Sequence, residues 1–148
     1  MFARLKFTTI AITILFSTSA FADLAIIVNP GYKDGKLSTQ DIRKLYLGER
    51  RAFPDGLFAT PINHNVGSPD RKQFFSSVLG MNESSLLRYW RRQISTGNNN
   101  QPVELSSYTA VLNTVASTPG SISYIDSRLV NDKVKVLMLF DKNGIVEN

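Results

Sequence analysis

The sequence predicts an α/β fold: a mixed sheet with helices packed on its faces. Three observations carry that prediction. Leu24-Ala25-Ile26-Ile27-Val28 is a continuous apolar run of strand length, the pattern of a strand covered on both sides. The middle of the chain carries apolar residues at three- and four-residue steps behind clear cap residues, which is helical periodicity. Two further strand-like runs, Ser121–Ile125 and Val134–Phe140, follow the helices. The order strand, helix, strand, three helices, strand, strand is that of a layered α/β domain.

Residues 1–22 read as a leader rather than as part of the fold. Arg4 and Lys6 precede a short apolar run, Phe7 to Phe16, and Ala20-Phe21-Ala22 is a small-x-small cleavage site. The run is too short to span a bilayer, and no cysteine follows it for lipid attachment. The expected address is the periplasm, with residues 23–148 as one domain after cleavage behind Ala22. Without Arg4 and Lys6 the formal charge falls from +5 to +3. That mild excess suits an anionic small molecule or an anionic surface better than nucleic acid. The absence of cysteine excludes disulfides, thiolate metal sites and a cysteine nucleophile.

Each element has a local cause. Asn29-Pro30-Gly31 ends the first strand. Ser38 caps the next helix with Asp41 three residues on, a capping-box spacing, and Leu37 and Ile42 are placed as a hydrophobic staple. Ile42, Leu45 and Tyr46 form the buried stripe, Arg43 and Lys44 a solvated face, and Gly48 the stop. Pro54-Asp55-Gly56 is a turn, and Leu57–Ile62 reads as the second strand. Ser68 caps a helix with Pro69 at its first position. Phe74, Phe75, Val78 and Leu79 make its stripe, and Gly80 ends it. Asn82 caps a third helix with Leu86, Leu87, Trp90 and Ile94 on one face and Arg88, Arg91 and Arg92 largely on the other. The basic-aromatic run Arg88–Arg92 could suggest nucleic acid, but the periodicity assigns Trp90 to the core. Residues 95–102 are a polar loop. Ser106 or Ser107 caps a fourth helix with Val111, Leu112 and Val115 inward, ended by Thr118-Pro119-Gly120. Asp141-Lys142-Asn143-Gly144 is a turn, and the last four residues are expected to fray.

A glycine turn leading into a helix N-terminus, Asn65-Val66-Gly67-Ser68, is a natural place to hold an anion. His64, the only histidine, has no metal-ligand spacing around it. It reads as a structural loop residue or a pH-dependent anion contact. The chain has no nucleophile elbow, P-loop or dinucleotide fingerprint, so it is not read as an enzyme, and no cofactor is implied.

In order along the chain, Leu37–Gly48, Gly67–Phe74, Tyr89-Trp90, Thr96-Gly97 and Pro119–Ile125 together resemble the second lobe of the phosphate-binding proteins of phosphate ABC transporters. The resemblance extends to their short single-lobe relatives. It implies one lobe of a type II periplasmic-binding-protein-like fold. It also implies a ligand site in the turn, where the family's pattern is arginine, three residues, then serine, glycine and threonine. His64 stands at the arginine, Ser68 keeps the serine, Pro69 stands at the glycine and Asp70 at the threonine, with Arg71 the nearest guanidinium. The implied ligand-binding set is His64, Gly67, Ser68, Asp70 and Arg71, and the implied partners are phosphate or a related small anion and an ABC transporter. The alternative is a non-catalytic adaptor of the cell envelope with a degenerate ligand site and a protein partner. Neither reading involves nucleic acid or a membrane span after cleavage.

Overall fold

A computed structural model describes residues 23–141 and 144–147. The expected leader, 1–22, and the middle of the expected turn at 142–143 lie outside the described residues. The elements are β1 (Leu24–Val28), α1 (Thr39–Tyr46), β2 (Thr60–His64), α2 (Pro69–Phe74) continued by a π-helical turn (Phe75–Leu79), α3 (Glu83–Ser95), β3 (Val103–Leu105), α4 (Tyr108–Ser117), β4 (Ser121–Asp126), β5 (Lys135–Asp141) and β6 (Gly144–Glu147). They form one six-stranded sheet in the order β3-β2-β4-β1-β5-β6. β2 runs parallel to β3 and β4, while β1 is antiparallel to β4 and β5. The sheet is therefore mixed, as the sequence predicts.

β1 explains its own apolar run. Leu24, Ile26 and Val28 belong to the core beneath α1, α2 and α3, and Ala25 and Ile27 to the core beneath α4. Period-two alternation sends successive side chains to opposite faces. A strand covered on both sides thus has no position for a polar residue.

The helix starts follow the predicted caps. Ser38 accepts from the Asp41 N–H while the Asp41 carboxylate accepts from the Ser38 N–H, a complete capping box. Ser107 caps α4 through the Ala110 N–H at 3.1 Å. The Ser38 hydroxyl is the leading cause that holds the Asp41 carboxyl below its ordinary value.

Five local readings change. Residues 57–59 are not in the main sheet: Phe53 N–H donates to Leu57 O and Ala59 N–H to Arg51 O, closing a small hairpin around Pro54-Asp55-Gly56. The second strand therefore starts at Thr60 and carries His64 as its last residue, buried rather than in a loop. The helix after Pro69 widens into a π turn at Phe75, and Met81 N–H reaches back to Phe75 O before Gly80 reverses the chain at φ +63°. On α3, Leu86 and Trp90 are buried, but Leu87 and Ile94 are exposed, so the buried stripe is narrower than the predicted face. Arg43 lies partly buried and donates to Leu79 O. β3 and β6 have no counterpart among the predicted elements, since β3 is a three-residue, outward-facing edge strand and β6 falls in the expected frayed tail.

Gly120 marks the tightest backbone approach. It sits at φ +78°, and a Cβ there would lie 2.1 Å from Phe58 O. Gly120→Ala therefore combines left-handed strain with a backbone clash. It should cost about 2–6 kcal/mol in urea unfolding, the sum of typical strain and overpacking penalties.

Candidate functional site

The candidate site lies where β2 and β4 part at their carboxyl ends. Their direct register is Thr60↔Ser121 and Pro61↔Ile122. Beyond that point side chains join the strands. Ile62 O accepts from Tyr46 OH at 2.9 Å and from Ser123 Oγ at 3.0 Å. His64 N–H donates to Tyr124 OH at 3.3 Å, and Tyr124 OH donates to Asn63 Oδ1 at 2.9 Å. The His64 ring spans the gap, its Nε2 2.6 Å from Tyr124 O. A carbonyl only accepts, so Nε2 carries the proton. The ring packs between Tyr108 and Tyr124 at centroid distances of 5.3 and 5.0 Å. Burial raises the Tyr124 and Tyr46 phenols above their ordinary value, which keeps both hydroxyls as donors.

The next turn delivers the other candidates. Ser68 caps α2 and accepts from the Arg71 N–H at 3.5 Å. Asp70 is buried, and its Oδ2 accepts the Asp126 N–H at 2.8 Å. That bond ties the start of α2 to the end of β4. Arg71 is 7% exposed, with its guanidinium 4.7 Å from the Phe75 ring centroid. Its Nε and Nη2 donate to the two oxygens of Glu83 at 3.0 and 2.5 Å. Its Nη1 donates to His64 O at 2.6 Å and to Glu104 Oε2 at 2.9 Å. A guanidinium has five N–H groups, so these contacts leave one. Burial alone would lower the Arg71 pKa, and the two carboxylates more than offset it.

The structure thus gathers His64, Gly67, Ser68, Asp70 and Arg71 in one region. His64, Gly67 and Ser68 line a cleft of about 320 Å³ with Ser106 and Tyr108, and Gly67, Ser68 and Arg71 border a second of about 580 Å³ with Glu83, whereas the Asp70 carboxylate and the Arg71 donors are committed to bonds within the protein. The partners that sequence reasoning missed are Glu83, Glu104, Tyr108, Tyr124 and Asp126. Glu83, at the start of α3, and Glu104, held beside Arg71 by the β2–β3 pairing, lie 12 and 33 residues from Arg71. The polar positions of Ser121-Ile122-Ser123-Tyr124 were the available signal, since Ser123 and Tyr124 both supply bonds across the splay.

Burial raises the Asp70 pKa. A carboxyl raised in the folded state binds its proton more tightly there than when unfolded. Its contribution therefore favours folding below the unfolded value and is lost as pH climbs through the folded one. Asp70→Asn keeps an acceptor for the Asp126 N–H. The variant should unfold at higher urea than the parent at pH 7, and the gap should close as pH falls toward 4. An equal gap at both values would show that the Asp70 charge costs nothing.

No family model matches the chain. Several solved structures share its fold. An ABC-type phosphate transport receptor from Vibrio cholerae superposes at a TM-score of 0.64 and 16% identity, over 80% of this chain and 46% of that one. A structure from Clostridium perfringens that holds bound phosphate superposes at 0.64 and 15%, over 79% of this chain and 44% of its own. PstS from Borrelia burgdorferi superposes at 0.57 and 15%, over 78% of this chain and 46% of its own. The chain thus has the mixed-sheet, periplasmic-binding-protein-like fold of these phosphate-receptor structures, and it spans less than half their length.

Proposed function

We propose that the chain is a non-catalytic interaction module of the cell envelope, built on a solute-binding fold whose anion-holding turn is closed by its own side chains. The observation that carries this reading is the state of Arg71, with four of its N–H groups committed to Glu83, Glu104 and His64 O. A phosphate would have to displace one of these two carboxylates to gain that guanidinium. It would also approach the buried Asp70 carboxylate, a repulsion of about 1 kcal/mol at 4 Å in water and more near a low-dielectric surface. Pro69 has no N–H to offer. The likeness to phosphate-transport receptors supports a role among exported proteins, with a transporter or another envelope protein as partner. The expected leader at 1–22 supports a periplasmic address.

Weak anion binding at Gly67 and Ser68 is the reading this one displaces, and calorimetry separates them. The parent protein should give no heat with millimolar phosphate or sulfate at pH 6 or 7.5. Glu104→Gln breaks one of the Arg71 ion pairs and leaves the bidentate Glu83 pair intact. Combined with Pro69→Gly and Asp70→Thr, it should create measurable, salt-sensitive phosphate binding. Saturable phosphate binding by the parent in the micromolar range would overturn the proposal.

A further inference from the structure

One feature of the surface is untouched by the site around Arg71. The basic-aromatic run on α3 separates in space. Trp90 is buried, and Tyr89 turns its hydroxyl to Leu47 O at 2.6 Å. Arg88, Arg91 and Arg92 are exposed. Arg50, Arg71 and Arg128 each reach a carboxylate within 2.9 Å. Among the described residues, Arg88, Arg91 and Arg92 reach none. The acid of α3, Glu83, is already held by Arg71. On the same helix Leu87 is 53% exposed and Ile94 46%. They stand seven residues apart, about two turns, and so lie on one line of the helix with Arg91 between them.

We propose that this face of α3 docks on an anionic phospholipid surface. Three guanidiniums without a carboxylate partner, of which Arg88 donates to Ser85 Oγ at 3.1 Å, stand beside two exposed aliphatic side chains and form a basic amphipathic face, which matches negative headgroups above an apolar layer. A protein partner would call for a shaped pocket or an exposed aromatic anchor, and on α3 both aromatics are turned inward. The same inward turn removes the stacking platform that single-stranded nucleic acid uses. A bilayer needs neither, because its charge is spread over a surface.

The test is co-sedimentation with vesicles of one-third phosphatidylglycerol in phosphatidylcholine, against vesicles of phosphatidylcholine alone. The parent protein should bind the anionic vesicles selectively, and should release near 1 M salt, where the screening length is about 3 Å. The triple variant Arg88→Gln, Arg91→Gln, Arg92→Gln should bind on the order of 100-fold more weakly, roughly fivefold per arginine. The charge-matched control Lys33→Gln, Lys36→Gln, Lys133→Gln removes three exposed lysines from elsewhere and should bind as the parent does. All these positions are exposed, and matching thermal melts will show that the folds are intact. No selective binding by the parent would overturn the proposal. So would binding that survives the arginine changes, or an equal loss in the lysine control, which would reduce the effect to net charge. An arginine-dependent affinity for a single-stranded oligonucleotide that exceeds the affinity for the vesicles would replace it with nucleic-acid binding.

Discussion

The parting of β2 from β4 is the constraint on which the rest of the site depends. Two parallel strands whose direct register ends at Pro61↔Ile122 keep their outer ladders, β2 with β3 and β4 with β1, but leave the facing edges of residues 62–64 and 122–124 inside the protein without a shared ladder. Buried backbone groups must find partners. Here the partners are Tyr46, Ser123, Tyr124 and the His64 ring. In open α/β sheets the gap between diverging strand ends is the usual ligand crevice. In this chain that gap holds an imidazole packed between two tyrosines. Small-molecule chemistry at this place thus competes with the bonds that keep the sheet closed.

Arg71 extends the same logic outward. It touches β2 through His64 O, α3 through Glu83, β3 through Glu104 and the π turn through Phe75. A buried guanidinium is costly unless its donors are met, so the two glutamates are required by the burial and not added to it. Glu83 and Glu104 are themselves 44% and 51% exposed, so loss of one costs less than the about 3–5 kcal/mol typical of a fully buried pair. The residue type that could have gripped an anion therefore serves as a four-way tie. The edge strand β3 is short and outward-facing, and the Glu104 bond helps to hold it beside β2.

Much of the fold was legible because it rests on local signals. The two-sided burial of β1, the capping box at Ser38, the Ser68 and Asn82 caps and the Gly80 stop are written in a few adjacent residues. The unreadable parts rest on contacts distant in sequence. β3 has no periodic pattern, and it forms because β2 offers a free edge to Ile62↔Val103 and its neighbours. His64 read as a loop residue because the hairpin at 51–59 shifts the strand start to Thr60. The position of the site was readable from the glycine turn, but its chemistry was not. No local pattern shows that Arg71 meets Glu83 and Glu104, and those contacts decide whether the guanidinium is free.

The two ends of α3 now carry opposite assignments. Its N-terminal Glu83 stays 44% exposed but is committed as the counter-charge of Arg71, and it is the one acid of an otherwise basic helix. Glu83 stands five residues from Arg88, outside the three- and four-residue steps at which helix side chains meet, so the two do not pair along the helix surface. The ion pair at Arg71 and the cationic outer face of α3 therefore arise from separate positions of the helix. On the two proposals made above, charge recognition in this fold lies on the outer face of α3 and not in the crevice between β2 and β4.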